Sequence, residues 1–117
     1  MLERFEREQP VGRIWVENIV PLPSCCPVSG NPQTGSRLRI RYRAGRGVLE
    51  VYSLRRYLEQ FVGGGRGVRT MEGLVEQVAA DCARLLGAPV RVVAELVLSP
   101  AQQMRLIVRC RPPQTGG

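Results

Sequence analysis

Arg37-Leu38-Arg39-Ile40-Arg41-Tyr42-Arg43 alternates without a break, so an extended chain would carry Leu38, Ile40 and Tyr42 on one face and arginines on the other. On a helix the same residues would scatter charge all round. The stretch therefore predicts a half-buried β-strand, with one apolar face to be covered and one basic face left to water or a partner. The cover must come from elsewhere in the chain.

Downstream, Ser53 is placed to cap a helix whose Leu54, Tyr57, Leu58 and Phe61 recur at i, i+3, i+4 and i+7, ending in Gly63-Gly64-Gly65. A longer helix begins near Thr70, carries Leu74, Val78, Cys82 and Leu85 along one stripe, and stops at Gly87 and Pro89. Two more strand-like runs follow, at 90–98 and 104–110, joined by Ser99-Pro100-Ala101-Gln102-Gln103. Upstream, residues 12–20 read as a first strand. Pro21, Pro23, Pro27 and Pro32, with Gly30 and Gly35, then force an irregular connection, because proline lacks the N–H that a ladder needs. Two strands, two helices and two strands predict an α+β domain: a four-stranded antiparallel sheet with both helices on one face.

At 117 residues and 44% apolar composition, one domain over the whole chain is expected, with a charged N-terminal segment at 1–10 and a loose tail at 111–117. No apolar run approaches the length of a membrane span, and the first residues are too charged for a signal peptide, so a cytoplasmic protein without membrane contact is expected. The net charge is +7 and the basic residues are arginines, which favours phosphate-bearing partners, nucleic acid among them; arginines that simply face water are the plainer reading. Four cysteines without histidine and without a Cys-x-x-Cys pair make a poor metal set, so no metal is expected. A reducing compartment leaves at least one thiol free.

Cys26 stands in the loop Pro23-Ser24-Cys25-Cys26-Pro27-Val28-Ser29-Gly30-Asn31-Pro32, where surrounding arginines would favour its thiolate; a small buried hydrophobe is the alternative. Cys82, on the apolar stripe of the second helix, is expected in the core. The alternating Arg37, Arg39 and Arg41, and the Arg66 and Arg69 that flank a glycine-rich turn and a helix start, are candidate anion or nucleic-acid contacts. A solvated face and a flexible connector would look the same.

This cysteine loop, followed by Leu49-Glu50-Val51-Tyr52-Ser53-Leu54-Arg55-Arg56-Tyr57-Leu58, resembles the QueF-like family: the queuosine-pathway nitrile reductases that act on 7-cyano-7-deazaguanine, and their relatives. The resemblance covers about Ser24 to Cys110. It implies a tunnel fold (ββααββ), in which identical subunits join their sheets edge to edge into a barrel with the helices outside, hence a ring-forming homo-oligomer. It implies Cys26 as the residue that adds to the substrate's C7 substituent, and Glu72 as the carboxylate that accepts from the N1–H and 2-amino groups of the guanine-like ring; an acid in a first helical turn that serves only the helix dipole is the alternative. Glu50, Tyr52 and Ser53 of the signature become candidate substrate-binding residues.

The departures point away from reduction. The family's proton-donating aspartate is Gln33 here, which cannot supply a proton at neutral pH. Its signature lysine is Tyr52, its phosphate-gripping residues after Phe61 are Val62 and Gly63, and the histidine before its glutamate is Met71. Decarboxylation of 7-carboxy-7-deazaguanine needs neither hydride nor a nitrile proton donor, and is the first expectation, with no cofactor. The alternatives are NADPH-dependent reduction of the nitrile to the aminomethyl base, amidine formation on a nitrile already in tRNA or DNA, and a non-catalytic basic ring that binds nucleic acid.

Overall fold

A computed structural model describes residues 1–9 and 11–114. The alternating stretch is a central strand, β3 (Arg37–Ala44), whose Leu38, Ile40, Tyr42 and Ala44 are buried while Arg37, Arg41 and Arg43 are exposed. It is flanked by β2 (Ile14–Pro21) and β5 (Val90–Leu98), and β6 (Gln102–Cys110) lies beyond β5, so the antiparallel sheet runs β2-β3-β5-β6. Register follows from matching apolar faces: Leu38 opposes Ala94, Ile40 opposes Val92 and Tyr42 opposes Val90.

Two helices cover this face. In α1 (Val51–Glu59) the buried side chains are Ser53, Leu54, Tyr57 and Leu58; in α2 (Met71–Leu86) they include Leu74, Val75, Val78, Ala79, Cys82 and Ala83. The apolar members of both sets join the residues of β3 and β5 in one core cluster. The α+β reading holds, with the antiparallel four-stranded sheet and its helical layer. Cys82 is fully buried, and burial pushes its thiol up to about 12, so it serves as a core residue.

Three local expectations are corrected. Ser53 does not cap α1: the helix begins at Val51, and Glu50 is its N-cap, accepting the Ser53 N–H on Oε2 at 2.8 Å. The acid outcompetes the serine because it lies three residues before a free N–H, the offset that a cap needs. The helix stops at Glu59, and the glycines at 63–65 form a separate run of tight turns, Val62–Gly67. The N-terminal segment is not simply a charged arm. Leu2 is buried, and β1 (Arg4–Glu6) pairs antiparallel with β4 (Gly47–Leu49), a second small sheet that so short a charged run could not announce by period. Of the expected tail, Arg111–Gln114 has no regular structure and residues 115–117, like Pro10, lie outside the described residues.

The sheet face away from the helices is uncovered. It carries Trp15, Glu17 and Ile19 of β2, the arginines of β3, Arg91, Val93 and Glu95 of β5, and Arg105, Ile107 and Arg109 of β6. At either flank β2 and β6 each leave one edge unpaired among the described residues. The Tyr42 hydroxyl, buried in the core, accepts the Leu49 N–H at 2.9 Å and so ties β4 to β3. Tyr42→Phe should leave that N–H without a partner and lower stability by about 1–3 kcal/mol, read as a lower urea midpoint with an unchanged slope.

Candidate functional site

Between β2 and β3 the chain crosses residues 22–36 with no regular structure, yet it is held at both ends. Leu22 N–H donates to the Ser36 carbonyl at 3.0 Å, and Gln33 N–H to the Val97 carbonyl at 2.8 Å. In the middle, Asn31 is 9% exposed: its Nδ2 donates to the Ser99 carbonyl at 3.1 Å and its Oδ1 accepts the Ser99 N–H at 2.9 Å. This two-point clasp fixes the loop to the β5–β6 turn. The Asn31 carbonyl in turn accepts the N–H groups of Cys25 and Cys26, at 3.2 and 3.0 Å.

The adjacent cysteines are thereby turned to opposite fates. Cys25 is fully buried and its thiol is raised, first by burial, against the lowering effect of a backbone hydrogen bond. Cys26 is partly exposed and heads the turn that the Gly30 N–H closes on its carbonyl at 2.9 Å. Its Sγ accepts the Ser29 N–H at 3.5 Å. The Ser29 side chain and backbone, then the Val28 backbone, lower its pKa, and the positive charge of Arg69 adds to this. The thiolate is stabilised by turn donors more than by the arginines that composition suggested.

Against this loop lies the glycine-rich run. Gly63 N–H donates to the Ser24 carbonyl at 2.9 Å, and a Cβ at Gly64, which holds φ at +87°, would stand 3.6 Å from both Pro27 and Arg69. Gly65 allows no side chain at all, since its Cβ would fall 1.8 Å from the Gln60 carbonyl oxygen. These glycines therefore form the seam on which the cysteine loop and the entry to α2 meet. Thr70 caps α2, accepting the Gly73 N–H at 3.0 Å, and Glu72 stands exposed in its first turn, its charge reaching Cys25. Cys26, Arg69 and Glu72 thus gather on one side of the domain.

The other candidates lie elsewhere. Gln33 is close in sequence but serves as a strut: its Nε2 donates to Asn31 Oδ1 at 3.0 Å and to the Gly30 carbonyl at 3.2 Å. Glu50, Tyr52 and Ser53 sit at the start of α1, where Glu50 accepts the Ser53 N–H and Ser53 bonds to Glu3 rather than to the cysteine loop. There Ser53 is buried, its hydroxyl accepting the Glu3 N–H at 2.9 Å, and Tyr52 is 72% exposed. Arg66 turns away from any phosphate cradle. It lies over the rings of Tyr57 and Phe61 and pairs with Asp81 at 3.4 Å, while the Tyr57 hydroxyl donates to that same carboxylate. Arg37 and Arg39 hold Glu95 at 3.0 and 2.6 Å on the open sheet face, and Arg41 stacks over Trp15. Ser29 and Asn31 do not stand out in the sequence; their one signal there is the small, polar, turn-forming Ser-Gly-Asn-Pro run.

No helix among the described residues is long and apolar enough to cross a membrane, and no three His, Cys, Asp or Glu side chains among them gather as a metal site would require. Compared with protein-family models and with curated proteins, the chain matches none.

Alkylation reads this geometry directly. With iodoacetamide, Cys26 should modify first, with a rate that rises through a midpoint below that of a free cysteine, since only the thiolate reacts and its pKa is lowered. Ser29→Ala should move that midpoint upward. Cys25 and Cys82 should stay unmodified until denaturant is added, as mass mapping would show.

Proposed function

We propose that the chain is a tunnel-fold, QueF-like enzyme that acts on the C7 substituent of a 7-deazaguanine without a nicotinamide cofactor, removing the carboxylate of 7-carboxy-7-deazaguanine in a nucleic-acid modification pathway. The observation that carries this reading is Cys26: a partly exposed thiol with a lowered pKa, seated beside Arg69 and on the same side as Glu72. In the reaction Glu72 accepts from the N1–H and 2-amino groups of the ring and Arg69 faces the anionic substituent. The Cys26 thiol gives its proton to C7, the bond from C7 to the carboxyl carbon breaks, its electron pair returns to the ring and carbon dioxide leaves. The thiolate then takes a proton from water. A thiol brought below the ordinary cysteine value is a better donor, and its turn hydrogen bonds stabilise the anion it leaves.

Two features support a reading without nicotinamide. Gln33 is held in the loop as a hydrogen-bond strut and offers no acid, and the Gly63 N–H that would greet a cofactor phosphate is already used by Ser24. Assembly into a ring is supported by the unpaired edges of β2 and β6, and by their helix-side residues Val16, Val20, Leu106 and Val108, which a monomer leaves only partly buried.

The test is to incubate the protein with the 7-carboxy and 7-cyano bases, with and without NADPH and ammonium, and to read product masses. Loss of carbon dioxide from the carboxy base with no additive is expected. Cys26→Ala should slow it by roughly a hundredfold, and the rate should fall as pH rises through the Cys26 pKa, because the protonated thiol is the donor. NADPH oxidation that requires the nitrile would replace this reading with reduction; unchanged masses in every tube would remove both for free bases.

A further inference from the structure

The open face of the sheet is divided by charge. On one half, Glu95 collects Arg37 and Arg39, with Arg105 at 3.9 Å, and Glu17 takes Arg39 at 3.0 Å. On the other half no ion pair forms among the described residues: Glu17 stands opposite Arg41 in the β2–β3 register, but its carboxylate is taken by Arg39. Arg41, Arg91 and Arg109 stand in register across β3, β5 and β6, and with Trp15 and Arg111 they wall a groove of about 840 Å³. No carboxylate lines it, and none pairs with any of these arginines among the described residues. Arg91 Nε is buried there without a hydrogen-bond partner. A guanidinium nitrogen withdrawn from water and left unpaired is costly unless an acceptor completes it.

We infer that this face is a binding surface for single-stranded nucleic acid, with phosphates on the Arg41, Arg91, Arg109 and Arg111 groove and a base stacked on Trp15. The extent of the charge sets the ligand's size. The row across three strands spans about 10 Å, and Arg43, exposed two residues beyond Arg41, extends it along β3 by about 7 Å, more than one phosphate occupies. The neighbours set its kind. Trp15 is 63% exposed at the groove's rim, with Arg41 4.9 Å from its ring centroid, and Ile19 and Ile107 are each 52% exposed in the row beside it. Unpaired bases have faces to lay on such an aromatic and apolar surface, whereas a duplex keeps its bases stacked inside. A second copy docking face to face would oppose like charges, which disfavours it.

Trp15 is the chain's single tryptophan, so its emission reports on this site alone. The intact protein is titrated with a labelled 20-nucleotide oligothymidine and with a duplex of equal length, over a series of salt concentrations. Quenching of Trp15 by the single strand and weaker binding of the duplex are expected. Arg109 and Arg111 are both exposed, so Arg109→Gln/Arg111→Gln should fold normally. It should bind roughly twentyfold more weakly at 0.1 M salt, with a salt slope shallower by about 1.4. Arg55→Gln/Arg56→Gln on exposed positions of α1 removes the same charge from the other face and should change neither. The inference is overturned if the two double variants weaken binding equally, if Trp15 emission does not respond, or if the duplex binds as well as the single strand. Cys26→Ala should bind like the unsubstituted chain, so loss of catalysis and loss of binding are separable outcomes.

Discussion

Packing of β3 against the helical layer constrains everything else in this domain. Once Leu38, Ile40, Tyr42 and Ala44 enter the core, the pleat sends Arg37, Arg39, Arg41 and Arg43 to the opposite face, and a slip of one residue would bury guanidinium groups. The face that β5 presents follows, and the observed alignment sets Val90, Val92 and Ala94 beside those core residues. That alignment also places Glu95 between Arg37 and Arg39, where hydrogen bonds from Arg39 and then Arg37 hold its carboxyl below the usual carboxylate range. One strand therefore sets both the core and the electrostatic pattern of the exposed sheet.

The candidate site depends on the same frame by way of its loop ends. The stretch from Leu22 to Ser36 has no ladder of its own, so its shape is dictated by what it touches: Val97 and Ser99 at the β5–β6 end, and Gly63 on the glycine seam. Asn31 carries most of this, with both its amide atoms and its backbone carbonyl engaged. Holding the turn in place leaves Cys26 with donors from Ser29 and buries Cys25, so two chemically identical neighbours acquire opposite acidities. The difference comes from hydrogen bonding on one side and desolvation on the other, not from residue type.

The proposed catalytic site and the proposed nucleic-acid surface lie in separate places on the domain. The thiol, Arg69 and Glu72 lie where the cysteine loop meets the start of α2, and the uncompensated arginines lie on the open sheet toward the end of β6. Of the chain's ten carboxylates, Glu17, Glu95 and Asp81 neutralise particular guanidiniums and leave others exposed, so the surplus of arginines is distributed unevenly between the two places.

The sequence by itself determined the elements whose periods are long and regular. The alternation at 37–43 and the apolar stripe from Leu74 to Leu85 settled a strand, a helix and the α+β class, because burial of apolar surface is the dominant driving force of folding and leaves a periodic mark. It also marked Cys26 and Glu72 as residues worth following. Tertiary structure alone decided the rest. The pairing of Arg4–Glu6 with Gly47–Leu49 joins segments about forty residues apart, and the preference of α1 for Glu50 over Ser53 as a cap rests on backbone angles. The diversion of Arg66 to Asp81, and the choice of which arginines stay uncompensated, depend on distances set by folding. Such contacts are single and non-periodic, so nothing in the order of residues records them until the chain has closed on itself.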